Sequence, residues 1–75
     1  MITKKIQITG HFDEMTFYKW IMHRSGILGM EVCIQLLETD CIEFQVTGHP
    51  VLLDAMEVAC SLGPYDAIVE KIQSF

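Results

Sequence analysis

Residues 6–11 read IQITGH and residues 44–49 read FQVTGH, so the chain carries nearly the same hexapeptide twice. In the first copy the apolar residues Ile6 and Ile8 flank the polar Gln7, and the second copy alternates in the same way. A period of two predicts a β-strand with one buried and one solvated face. Each copy ends in Gly-His, where glycine permits a sharp turn. Ancestral duplication and a shared structural demand both explain the repeat, and both predict the same fold.

A helical pattern follows each hexapeptide. The first has apolar residues spaced for one helix face, a capping residue before them and a glycine after them. These residues are Asp13 or Thr16 as the cap, Phe17, Trp20 and Ile21 on the face, and Gly26 as the terminator. The second helix is predicted to begin at Pro50 and to stop at Gly63-Pro64. The i, i+3, i+4, i+7 spacing predicts its apolar face as Leu52, Ala55, Met56 and Ala59.

Each helix leads into a further strand. Residues 30–36 alternate with a period of two, and a turn at Thr39-Asp40 joins them to the second hexapeptide as a hairpin. The last strand is predicted over about residues 67–72, where imperfect alternation indicates an edge bulge.

The predicted order is therefore β-α-β-β-α-β, and the fold class is α+β. We expect a ferredoxin-like α/β sandwich with a four- to five-stranded, mostly antiparallel sheet and two helices on one face. The two hexapeptide strands are expected to lie side by side and parallel in the centre of the sheet. Residues 1–75 contain no linker and are expected to form a single domain. The open sheet face is expected to be polar and to carry Gln7, Thr9, Glu43, Gln45 and Thr47.

Composition excludes several classes of partner. The net charge is −5 and the five basic residues are scattered, which argues against nucleic-acid binding. No apolar segment is long enough to cross a membrane, since Asp54 and Glu57 interrupt the most apolar helix. The N-terminal residues lack the apolar run of a signal peptide, and the three cysteines form no C-x-x-C pair. These features predict a cytoplasmic protein with reduced thiols. No cofactor is expected, and composition does not decide between a monomer and a homodimer.

Two groups of side chains offer alternative chemistry. Cys33 and Cys41 flank the predicted hairpin in an acidic neighbourhood, which predicts inert thiols. His11 and His49 end strands that are expected to be neighbouring and parallel, so they could share one sheet edge. Asp13 and Glu14 are close in sequence, but a metal site needs three or four ligands in good geometry, and two histidines at chain turns are more often solvated. No metal site is therefore assigned, and a metal or other ligand at these histidines stays an alternative.

Several segments resemble the acylphosphatases, small α/β-sandwich enzymes that hydrolyse acyl phosphates. The family pattern has a glycine-opened loop closed by phenylalanine, an L-G-L step, a V-E pair, a strand-ending glycine and a final G-P-x-x-A-x-V. The matching residues are Gly10 and Phe17, Leu28-Gly29-Met30, Ile42-Glu43, Gly48, and Gly63-Pro64-Tyr65-Asp66-Ala67-Ile68-Val69. The resemblance runs from about residue 5 to residue 73 and implies the same fold.

The functional residues of the family do not carry over. The arginine that binds the phosphate falls on Tyr18, and the asparagine that positions the attacking water falls on Leu36. The inner, glycine-containing part of the loop reads Asp13-Glu14-Met15-Thr16. The resemblance therefore implies no catalytic residue and leaves a candidate ligand loop made of Gly10, His11, Phe12, Asp13, Glu14, Met15, Thr16, Phe17 and Tyr18.

These departures predict a catalytically inactive acylphosphatase-like domain that binds a small ligand or a protein partner. The alternative is a weak or altered acylphosphatase, in which Lys19 or a backbone site replaces the arginine.

Overall fold

The computed structural model describes residues 1–64 and 66–75, so the part of the family-like segment at Tyr65 lies outside the described residues. Within these described residues, six elements follow the predicted order. They are β1 (Ile2–His11), α1 (Glu14–Leu28), β2 (Glu31–Leu37), β3 (Cys41–Gly48), α2 (Pro50–Leu62) and β4 (Ile68–Ser74). Neither helix in the described part of the chain is long and apolar enough to cross a membrane.

The four strands form one sheet in the order β2-β3-β1-β4, and every neighbouring pair is antiparallel. The expected parallel pairing of the two hexapeptide strands is therefore wrong. Ile2 lies opposite Gly48, and Thr9 lies opposite Cys41. The reason is topological, because a β-α-β crossover makes β1 and β2 parallel. The hairpin then reverses the chain, so β3 runs against both strands when it lies between them.

The core lies between one face of the sheet and the two helices. Fully buried residues of the central strands meet Phe17 and Ile21 from α1 and three residues from α2. Those three are Leu53, Met56 and Cys60, whereas the predicted face of α2 was Leu52, Ala55, Met56 and Ala59. The prediction is right only at Met56. Rotating α2 toward its larger side chains buries more apolar area than two alanines would provide.

Helix ends follow local capping chemistry. Asp13 caps α1 and Pro50 opens α2, as predicted, and Gly63 ends α2 with its N–H bonded to the Ala59 carbonyl. Gly26 does not end α1, which continues to Leu28. Gly29 ends it instead, in the left-handed conformation with φ of 68° that glycine adopts without steric cost.

The edge strand β4 carries the predicted irregularity. Its register against β1 shifts between Thr9 and Gly10, which leaves Glu70 without a counterpart. The two backbones come so close here that a Cβ built on Gly10 would lie 2.0 Å from the Ile68 carbonyl oxygen. Glycine is therefore required at position 10 for space, and this packing joins β4 to the end of β1.

Candidate functional site

The predicted ligand loop is almost entirely regular secondary structure. β1 continues to His11 and α1 begins at Glu14, so only Phe12 and Asp13 connect them. Gly10 belongs to the strand, and Glu14, Met15, Thr16, Phe17 and Tyr18 form the start of the helix. A glycine-rich loop can wrap its backbone amides around a phosphate, but a two-residue connection has few amides to offer.

The Asp13 side chain occupies two amides of the first turn of α1. Its Oδ1 accepts hydrogen bonds from the backbone N–H of Met15 at 3.0 Å and of Thr16 at 3.5 Å. Phe17 N–H donates to the Asp13 carbonyl and starts the helical ladder. These first-turn amides attract anions because they are otherwise unpaired and lie at the positive end of the helix dipole. In this chain their anion is an internal carboxylate, and Glu14 adds a second acidic residue in the same turn.

Phe12 closes the inner side of the connection. Its side chain is buried, its ring contacts Phe17 edge-on at 5.0 Å between centroids, and Phe17 contacts Trp20 in the same manner at 5.5 Å. The Phe12 N–H donates to the Thr39 carbonyl, which ties the connection to the β2–β3 turn. Aromatic packing thus fills the space beneath Asp13.

Tyr18 and Leu36, the positions to which the resemblance assigns the arginine and the asparagine, lie on different elements. Tyr18 is half-buried on α1, and Leu36 lies on β2 opposite Glu43. The register shifts between Ile34 and Leu36, so Gln35 has no partner residue on β3. The sequence pattern predicted that Leu36 would face the core like Ile34, and this bulge reverses its direction. Leu37 packs against the core in its place, and Leu36 is turned toward the open sheet face.

The open face is polar, as predicted. Lys5 Nζ lies 3.0 Å from the Glu43 carboxylate, and the hydroxyls of Thr3 and Thr47 share a hydrogen bond of 2.8 Å. These are cross-strand pairs on partly exposed positions, where each contributes at most about 1 kcal/mol. An antiparallel sheet can leave such a polar face in contact with water.

The two histidines lie at opposite ends of the β1–β3 pair. Antiparallel pairing places Thr9 opposite Cys41 and Ile2 opposite Gly48, which separates His11 from His49 by the length of the strands. His11 Nε2 lies 3.7 Å from a Glu70 carboxylate oxygen. His49 instead caps α2, since its Nδ1 accepts from the Val51 N–H at 3.3 Å. The described residues contain no group of three or more His, Cys, Asp or Glu side chains arranged to hold a metal ion.

The thiols divide by burial. Cys33 is exposed, Cys41 is half-buried and Cys60 is buried. Burial, assisted by Glu43, Asp40 and Glu38, raises the pKa of Cys41. Burial raises the pKa of Cys60 to about 12. Both of these thiols are therefore held in the unreactive protonated form near neutral pH, in agreement with the prediction for Cys41.

A groove that sequence reasoning missed runs between the helices on their solvent side. Its volume is about 580 Å³. It is lined by Trp20, Arg24, Asp54, Ala55, Val58, Ala59, Leu62 and Gly63. The small residues Ala55, Ala59 and Gly63 recur every four positions along α2, and this spacing is the sequence signal that could have indicated it. None of its lining residues belongs to the predicted ligand loop.

Neither a protein-family model nor a curated protein sequence matches this chain. In fold the chain is similar to the crystal structure of acylphosphatase from Bacillus subtilis, with a TM-score of 0.89. The match covers 100% of this chain and 83% of the other, at 15% sequence identity. At that sequence identity the similarity shows the fold and does not show the chemistry. The chain therefore has the ferredoxin-like α/β-sandwich fold found in acylphosphatase.

Proposed function

We propose that this chain is an acylphosphatase-like domain that does not hydrolyse acyl phosphates and instead works as a small binding module. The supporting observation is the Asp13 carboxylate, which is hydrogen-bonded to the first-turn amides of Met15 and Thr16. A phosphoryl group would have to displace this carboxylate before it could use the same donors. Two like charges about 5 Å apart at an effective dielectric near 20 repel by roughly 3 kcal/mol. Glu14 in the same turn adds to the repulsion.

The residues that the family uses for chemistry are also replaced. A guanidinium binds phosphate by charge-assisted, bidentate hydrogen bonds, whereas the Tyr18 phenol brings one neutral donor. Losing one such donor typically lowers a rate by about 10²–10³. The Leu36 side chain cannot hydrogen-bond to water and is turned toward the open face of the sheet. The group that would bind the phosphate, the group that would position the water and the backbone amides of the loop are therefore all changed in this chain.

The test is hydrolysis of benzoyl phosphate by the native chain and three variants. The first variant carries Tyr18→Arg and Leu36→Asn, and the second adds Glu14→Gly to these two. We expect the native chain to hydrolyse the substrate no faster than buffer, with any restored activity confined to the variants. A third variant with Asp13→Gly in addition removes the internal carboxylate and is expected to be the most active of the series.

Hydrolysis by the native chain in proportion to purified protein would refute the proposal and favour a weak acylphosphatase. In that case Lys19→Ala would show whether the neighbouring lysine substitutes for the arginine. Circular dichroism of every variant separates loss of the fold from loss of activity.

A further inference from the structure

The inter-helix groove exposes apolar side chains that the core does not use. Val58 and Leu62 line its α2 side and remain 65% and 76% exposed. Trp20 lines its α1 side and is only partly buried against the core. Ala55 and Ala59 lie on the same α2 side. Apolar surface around a concave space is typical of ligand sites, and about 580 Å³ lies within their usual 300–1,000 Å³.

The groove also contains a cation that forms no salt bridge among the described residues. Arg24 lies over the Trp20 ring, with Cζ 5.5 Å from the ring centroid, and takes part in none of the described salt bridges. The acidic residue of the groove, Asp54, is 3.7 Å from Lys4 Nζ. Lys4 also meets Glu57 at 3.6 Å. Lys4 is thus shared by two carboxylates, and among the described residues the Arg24 guanidinium is the group of the groove that remains available to an anion.

We propose that the groove binds a small amphipathic monocarboxylate, with its apolar body against Trp20, Ala55 and Ala59 and its carboxylate on the Arg24 guanidinium. The planar fork of arginine matches the two carboxylate oxygens, and stacking on Trp20 holds that fork in place. A single guanidinium without a described salt-bridge partner and a volume of small-molecule size favour this ligand over a partner protein. The inference rests on the proposed function, since it names the ligand class of the binding module.

The experiment is a titration with octanoate, followed by the fluorescence of Trp20, which is the chain's single tryptophan. Octan-1-ol supplies the same apolar body without the charge. We expect a saturable change with octanoate and binding at least tenfold weaker with octan-1-ol. Amide NMR should place the largest shifts at Ala55, Ala59 and Arg24.

Two variants identify the groups responsible. Arg24→Gln is expected to weaken octanoate binding about tenfold or more, and Lys19→Gln removes an exposed cation of the same helix outside the groove and should change nothing. Ala55→Leu fills the groove and should abolish binding while the circular dichroism spectrum is kept.

Equal binding of octanoate and octan-1-ol, or an unchanged affinity in Arg24→Gln, would overturn the proposal. So would sedimentation showing that a second copy of the chain covers the groove at the protein concentration of the titration. Absence of octanoate binding together with absence of benzoyl phosphate hydrolysis would overturn only this inference and leave the proposed lack of hydrolysis standing.

Discussion

Removing the Asp13 carboxylate should destabilise the whole domain measurably. Asp13→Ala deletes the acceptor of two backbone N–H groups, at 3.0 Å from Met15 and 3.5 Å from Thr16. Loss of an N-cap typically costs about 1 kcal/mol, and loss of a negative charge at a helix N-terminus costs about 0.3–1 kcal/mol more. Since one of the two bonds is long, we expect a total of about 1–2 kcal/mol. For a domain of this size, each kcal/mol lowers the melting temperature by roughly 4–8 °C.

Urea unfolding followed by circular dichroism measures this difference, and two matched variants separate its parts. Asp13→Asn keeps a capping oxygen and should recover most of the loss, leaving about 0.3–1 kcal/mol for the charge. Asp54→Ala removes an exposed carboxylate from the other helix and should change the free energy of unfolding by less than about 0.5 kcal/mol. If Asp13→Ala unfolds at the same urea concentration as the native chain, the carboxylate does not cap α1, and the reasoning that links it to the blocked anion site fails.

Three further outcomes follow from glycine packing and thiol burial. Gly10→Ala would place a Cβ 2.0 Å from the Ile68 carbonyl oxygen, and it should unfold the chain or lower its stability by more than about 3 kcal/mol. A Cβ at Gly26 meets no atom within 4 Å, so Gly26→Ala should stabilise α1 by about 0.5–1 kcal/mol in thermal melts. Iodoacetamide labelling followed by mass spectrometry should modify the exposed Cys33 first and Cys60 only on unfolding; prompt modification of Cys60 in the folded chain would contradict its burial. The pKa of Cys60 is about 12 in the folded chain, whereas an unfolded thiol titrates near 9. Ionisation of this thiol therefore favours the unfolded chain above pH 9, and the free energy of unfolding falls as the pH rises from 9 toward 12. At pH 10.5 the native chain should lose about 2 kcal/mol more than Cys60→Ala does, and equal losses would show that the thiol ionises freely.

The strands were predictable because their alternation is local. Ile6 and Ile8, with their counterparts in β3, alternate with polar residues and are fully buried. The relative direction of β1 and β3 was predicted wrongly, although the predicted crossover and hairpin already require these strands to be antiparallel when they are neighbours. The face of α2 was also predicted wrongly, because Leu52 and Leu53 both suit a helix face and the sheet beneath decides between them.

The candidate site was only partly predictable for the same kind of reason. Asp13 was recognisable as a cap, and its replacement of a loop residue was visible in the sequence. The Asp13 carboxylate accepts from two amides that an anion would use only because α1 starts at Glu14. Sequence predicts the exact start of a helix poorly. The inward or outward direction of Leu36 depends on a bulge at Gln35, which leaves no clear sequence signal. The inter-helix groove arises only when Trp20 and α2 are packed side by side.

Titration of inorganic phosphate into the ¹⁵N-labelled native chain would show whether the start of α1 can hold a phosphoryl group. The amides to follow are those of Met15 and Thr16, with the amide of Gly26 as an internal reference far along the same helix. We expect no saturable shift of either first-turn amide in the native chain, because the Asp13 carboxylate already accepts their hydrogen bonds. A saturable shift confined to Met15 and Thr16 would mean that phosphate displaces the carboxylate, and it would contradict the proposed absence of a working phosphate site.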